Sequence, residues 1–298
     1  MRSPVSSALP NLDLLRAVAV LCVVGGHWAG WLGWDEFMTW VFSGANIGHT
    51  GVLLFFVHTS LVLMFSLERL ARSASARKVI PTFYLRRIFR LYPLSVATIL
   101  MMVYFHVPEF LKSRWSPPTQ LELWSNLTLT QNLFGARPLL TPMWSLPLEV
   151  QMYLVLPFFF YGVKRSGKRA LLFALVCWAL GSVFCMSGLE VTWPLVGQLI
   201  YLPCFLAGVV AYAAYKRGRG RWPFWGWPLC ILVSCFTVPP SQPFFAYATC
   251  LILGLMASRF QECAFKPLNR LTLVVATYSY SLYLFHIPVL YYFYVVHP

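Results

Sequence analysis

Arg16 and His27 stand eleven positions apart in the run NLDLLRAVAVLCVVGGHWAG. On a straight helix that is about 16 Å and almost three whole turns. A cation and an imidazole then project from nearly one face at two depths, too far apart to touch. A guanidinium suits phosphate, and a neutral imidazole suits the removal of a hydroxyl proton near neutral pH. Asp13, three residues before Arg16, is placed to pair with it. Gly25 and Gly26 leave room for another helix or a ligand beside His27. The plainer reading of His27 is an interfacial histidine among Trp28, Trp31 and Trp34.

Three further segments carry polar groups inside apolar sequence. In TPMWSLPLEVQMY, Glu149 is the only acidic residue. Ser145 and Glu149 share a helix face at i and i+4, and Trp144 precedes them. Ser145 is also placed to cap the helix, with Pro147 in its first turn. A carboxylate at membrane depth needs a partner, and a histidine or an arginine is the expected one. In FYLRRIFRLYP, Arg86, Arg87 and Arg90 are either ordinary cytoplasmic anchors or an anion site for phosphates. In TYSYSLYLFHIPVL, Ser279, Tyr283 and His286 form one polar stripe, which either bonds helix to helix or lines a polar path. His49, His58 and His106 give weaker signals. The chain has no Gly-rich phosphate loop, no HExxH and no Cys/His cluster, so neither an ATP site nor a metal site is expected.

The elements that must position these groups follow from composition. Of 298 residues, 59% are hydrophobic and 11% charged, too few charges to cover a soluble domain, which carries about 25%. Uncharged runs at 17–34, 37–67, 91–108, 170–189, 191–215, 222–258 and 271–298 each hold a span of roughly 20 residues. In lipid these must be helices. The expected spans are 12–31, 46–67, 83–106, 144–163, 170–188, 192–215, 223–238, 243–258 and 271–295, with Pro239, Pro240 and Pro243 breaking the seventh from the eighth. The fold class is therefore all-α, a polytopic transmembrane bundle of nine to ten helices. With the N-terminus in the cytoplasm, 20 of the 23 Lys and Arg residues fall inside, and only Lys112, Arg114 and Arg137 fall outside. Glu149 then enters from the outer side at a depth comparable with His27. The outer connection 107–143 is long enough to cover a site. Residues 1–298 read as one membrane domain without an appended soluble domain or a cleavable signal. The net charge of +14 sits in interhelical loops, which favours orientation and anionic membrane lipids over nucleic acid as its explanation. The eight cysteines form no CxxC pair and read as small apolar residues.

Taken together, the segments resemble the integral membrane acyltransferase family 3, which includes O-acetyltransferases of bacterial surface polysaccharides. The resemblance runs over about 280 residues. It is carried by LDLLRAVAVLCVVGGH with its Arg-ten residues-His spacing, by Phe55–Phe56, by LRRIFRLYP at Leu85–Pro93 and by MWSLPLEVQMY. LPCFLAG at Leu202–Gly208 and YSYSLYLFHIP at Tyr278–Pro288 complete it. The chain departs from the family at Leu53, Thr59–Ser60, Val150 and Cys204, where relatives often carry Asp, Ser-Gly, a second acidic residue and Glu.

The resemblance implies acyl transfer from cytosolic acyl-CoA, with acetyl favoured, to a hydroxyl of an outward-facing glycan or glycolipid at a bacterial inner membrane. Acyl-CoA is then a co-substrate, and no tightly bound cofactor is expected. Arg16, Arg86, Arg87 and Arg90 would hold CoA phosphates. His27 would be the general base, with Glu149 orienting or supporting it, and a covalent acyl-His intermediate is an alternative. Trp144, Ser145, Tyr283 and His286 would contact substrate. A transporter or flippase that uses the same buried groups as a pathway is the competing reading, against which no internal repeat is evident.

Overall fold

The computed structural model describes residues 9–34, 47–73, 75–109, 114–187, 198–218, 220, 222–236 and 243–296. Among them there is no strand, only an isolated bridge between Trp222 and Phe260. The helices are α1 Pro10–Trp31, α2 Ile47–Ser73, α3 Ala76–Tyr104, α4 Gln120–Leu127, α5 Leu146–Arg165, α6 Ala170–Met186, α7 Leu202–Arg217, α8 Gly226–Phe236, α9 Pro243–Ala257 and α10 Lys266–Tyr291. Seven helical segments among the described residues are long and apolar enough to cross a membrane. The chain is an all-α, multi-pass integral membrane protein. The seventh and eighth expected spans appear as the shorter apolar helices α8 and α9, and Pro239 and Pro240 lie outside the described residues. So does the C-terminal His297.

α2 is the centre of the bundle. It packs on α1, α7, α5, α3 and α9, and its buried residues face all round, as a helix surrounded by other helices requires. Close approach depends on small residues. At Gly51 an added Cβ would lie 2.6 Å from the Ala19 carbonyl oxygen and 2.9 Å from Cys22 Cβ, so α1 sits directly on the α2 backbone. At Gly208 of α7 it would lie 2.5 Å from both Ser60 Cβ and the Val57 carbonyl oxygen. α10 closes the bundle against α1.

Two differences from expectation bear on the site. α3 starts at Ala76 rather than 83 and carries Arg77, Lys78 and Pro81 inside the helix. Lys and Arg are good helix formers, and Pro81, near the helix start, interrupts only a little of the ladder. The connection 107–143 is not a plain loop. It contains α4, started by a reciprocal capping box between Thr119 and Glu122. Arg137 Nε donates to Glu122 at 2.7 Å. The buried Asn126 donates from Nδ2 to the Glu122 and Arg137 carbonyls and accepts from the Leu139 N–H. Tyr92, near the middle of α3, donates to the Thr128 carbonyl at 3.0 Å, and Gln131 donates to the Met143 carbonyl at 3.0 Å. The connector therefore packs well down into the bundle, and that depth sets where α5 begins.

Candidate active site

A cavity of about 700 Å³ opens between α1, α2, α3, α5 and α10. α1 contributes Arg16, α3 contributes Arg87 and Arg90, and α5 contributes Glu149 and Tyr153. α2 adds Phe55, His58 and Thr59, and α10 adds Ser279, Tyr280 and Tyr283. Arg16 Nε donates to Ser279 Oγ at 2.6 Å, and Ser279 passes its own proton to the Ala276 carbonyl at 2.9 Å. Glu149 accepts from the Tyr153 hydroxyl. The Arg87 guanidinium lies 5.9 Å from the Phe83 ring centre, and its buried Nε has no hydrogen-bond partner among the described residues. Asp13 and Arg16 do not pair. Among the described residues no carboxylate comes within 4.0 Å of Arg16, Arg87 or Arg90. Three guanidiniums against one carboxylate leave the cavity with an excess of positive charge and unfilled donors, which is the chemistry of an anion site.

Tyr283 forms one end of this cavity. Its hydroxyl donates to the Pro142 carbonyl, so Ser145 Oγ must donate to Tyr283 Oη across their 2.7 Å contact. Ser145 does occupy the N-cap position of α5, yet its side chain makes no cap bond. The expected capping role is replaced by a bond between α5 and α10. Trp144 faces elsewhere. Its ring lies parallel to His49, 5.9 Å between centroids, and meets Phe56 and Tyr201 at 6.5 and 5.2 Å.

Beyond Tyr283 lies a histidine pair. His27 on α1 and His286 on α10 have ring centroids 5.1 Å apart, and Tyr283 is 6.3 Å from His286. His286 Nδ1 is 3.1 Å from the Leu282 carbonyl oxygen and 2.9 Å from that of Tyr283. A carbonyl only accepts, so Nδ1 carries the proton and Nε2 keeps its lone pair. That Nε2 is buried without a partner. Arg16, Ser279, Tyr283, His286 and His27 thus follow one another along the α1–α10 seam.

The sequence-expected residues divide accordingly. Arg16, Arg87, Arg90, Ser145, Glu149 and Tyr283 line the cavity. Arg86 is exposed and outside its lining. His27 and His286 form the separate pair. Glu149 shares the cavity with the arginines rather than the level of His27, because the connector carries the chain inward to the 3₁₀ turn Thr141–Ser145 before α5 starts. His58 and Tyr280 were not singled out as site residues, although Phe55, Thr59 and Val62 around His58 recur at helical spacing on the cavity face of α2.

The peptidoglycan O-acetyltransferase OatA of Listeria monocytogenes is 26% identical over an alignment covering 95% of this chain and 49% of the relative. The putative peptidoglycan O-acetyltransferase YrhL of Bacillus subtilis is also 26% identical, over 95% of this chain and 48% of the relative. The chain thus spans about half the length of the curated relatives it matches. No solved structure gives a significant match. Residues 9–296 match the acyltransferase domain family, Acyl_transf_3, and the chain belongs to acyltransferase family 3.

Proposed function

We propose that the protein is a membrane O-acyltransferase that moves an acyl group, acetyl by analogy with the relatives' names, from cytosolic acyl-CoA to a hydroxyl of an outward-facing glycan or glycolipid. The observation that carries this reading is the excess of guanidinium over carboxylate in a cavity whose lining residue Tyr283 stands 6.3 Å from His286, the ring beside His27. The CoA phosphates bind Arg16, Arg87 and Arg90. The pantetheine arm bridges the distance along α1 from Arg16 to His27, about 16 Å. His27 takes the proton of the acceptor hydroxyl as its oxygen attacks the thioester carbonyl. The tetrahedral intermediate collapses, the C–S bond breaks, and the leaving thiolate takes the proton back from the imidazolium. His286, with its proton held on Nδ1 by two carbonyls, packs its ring 5.1 Å from that of His27 and so holds the His27 imidazole in place. Glu149 sets the charge of the arginine cavity. The loop charges support an N-terminus in the cytoplasm.

The test is transfer of radiolabel from acetyl-CoA to a glycan acceptor by the purified protein in sealed proteoliposomes. Labelled glycan is expected from the wild type and is expected to be lost in His27→Ala, with insertion intact. Unchanged product formation by His27→Ala would reject the base, and transport of acyl-CoA without acceptor labelling would reject the enzyme.

A further inference from the structure

A second cavity lies where the end of α3 meets the connector. It is on the face that the loop charges assign to the outside. Its wall includes Glu109, Arg114, Trp115 and Arg137, so two of the three outer basic residues share one small cavity. The four are not equivalent. Arg137 is committed to Glu122 at 2.7 Å and to the Ser116 carbonyl at 3.3 Å, which makes it part of the rim. Arg114 has no partner among the described residues. The Glu109 side chain has none either, and its half-buried carboxyl is pushed up by burial, with Arg137 lowering it and Glu122 raising it. Arg114 and Glu109 do not come within 4.0 Å of each other. Opposite charges that share a cavity without closing on each other leave their hydrogen-bonding capacity for something between them.

Trp115 completes the picture. Its ring lies 4.1 Å from that of His106, and His106 holds a left-handed backbone at φ 54°. That conformation is uncommon outside glycine, costs of order 1 kcal/mol and recurs where a ligand surface is pre-shaped. An indole braced against an imidazole, beside one open carboxyl and one open guanidinium, presents an apolar face together with both hydrogen-bonding polarities. A pyranose ring needs that combination: its C–H face stacks on the indole, and its hydroxyls donate to Glu109 and accept from Arg114. The backbone ties the cavity to the reaction site, because the Glu109 carbonyl accepts from both the N–H and the hydroxyl of Thr141. Thr141 opens the turn that ends at Ser145.

We propose that this outer cavity is a sugar-binding subsite that holds the acceptor glycan away from the reacting hydroxyl, an inference that rests on the acyltransferase reading above. The probe is chitopentaose, a neutral β-1,4-linked N-acetylglucosamine pentamer, titrated into the detergent-solubilised full chain by calorimetry. A non-hydrolysable acetyl-CoA analogue is titrated in parallel. The wild type should bind both. Trp115→Ala should weaken chitopentaose roughly threefold to tenfold, and Trp115→Phe less, with the analogue's affinity unchanged. Arg114 has no partner in the described protein, so Arg114→Ala tests the subsite without disturbing the connector and should also weaken the sugar alone. A wild type that does not bind chitopentaose would overturn the proposal. So would variants at both positions that bind it as the wild type does. Binding of chitopentaose without binding of the analogue would leave the subsite standing and sink the acyl-CoA reading instead.

Discussion

Removing Arg16 should separate ligand binding from folding. Its Nε donates to Ser279 Oγ at 2.6 Å, but that hydroxyl also donates to the Ala276 carbonyl at 2.9 Å. Arg16→Ala therefore leaves no orphaned donor behind, and its effect on stability should stay within about 1 kcal/mol. For an anionic ligand the loss is larger. A hydrogen bond to a charged group contributes about 1.5–3 kcal/mol, so affinity for a non-hydrolysable acetyl-CoA analogue should fall roughly 12- to 160-fold. Arg16→Lys keeps the charge without the guanidinium fork and should fall between. Arg86 makes the control. It lies next to Arg87 in sequence but is exposed and outside the cavity lining, so Arg86→Ala should bind the analogue within about twofold of wild type, as a surface charge does. Calorimetric titration in detergent at two salt concentrations measures all four proteins. Equal losses in Arg16→Ala and Arg86→Ala would refute the reasoning, because a general basic surface rather than this cavity would then be binding the ligand.

His286→Ala should lower kcat by about tenfold to hundredfold through misplacement of His27, with the analogue's affinity unchanged; a parallel loss of affinity would place His286 in ligand binding instead. Gly51→Ala should destabilise the bundle by about 1–3 kcal/mol, because its Cβ would meet the Ala19 carbonyl at 2.6 Å. Gly25→Ala, with nothing within 4 Å, should be neutral or slightly stabilising, and detergent melting curves compare the two. Burial raises the Glu122 carboxyl, but the Thr119 backbone and hydroxyl bonds and Arg137 outweigh it and hold it below the ordinary range. A carboxyl lowered in the folded state stabilises above its unfolded value near 4.3 and loses that contribution as pH falls through the folded one. Pepsin should then cut the connector faster below about pH 4 in the wild type, while Glu122→Gln should be cut readily with little further change over that range.

Much of this was legible in the sequence because lipid allows few solutions. Uncharged runs of spanning length have to be helices, and helical spacing puts Arg16 and His27 on one face of α1 and Ser279, Tyr283 and His286 on one stripe of α10, whereas the Arg16–Ser279 bond that joins the two helices replaces the expected Asp13 partner. What the sequence could not give was depth. Glu149 reads as a group entering from one side, level with His27, since a threading diagram treats residues 107–143 as slack. Thr119 and Glu122 did carry the signal of a helix start, but Asn126, Gln131 and Tyr92 fix the connector inside the bundle through contacts far apart in the chain. Ser145 misled for a related reason. Its position is that of a cap, and only the three-dimensional arrival of Tyr283 takes its hydroxyl away. The three arginines of α3 look alike because sequence shows a cluster, whereas the rotation of α3 turns Arg87 and Arg90 to the cavity and Arg86 out of it.

The charge balance of the cavity bears on why it exists. A structural ion network buried in a bundle pairs its members, since an unpaired charge removed from water costs several kcal/mol. Here Glu149 is engaged by Tyr153, Arg16 is turned to a neutral serine, and Arg87 Nε is left bare. Glu149 is the one carboxylate among the described residues that line the cavity. Two uncompensated positive charges are tolerable at membrane depth only in a cavity that water can enter and an anion can fill. The same arrangement therefore disfavours a purely structural role for the arginines and fits the proposed ligand, which brings more than one negative charge.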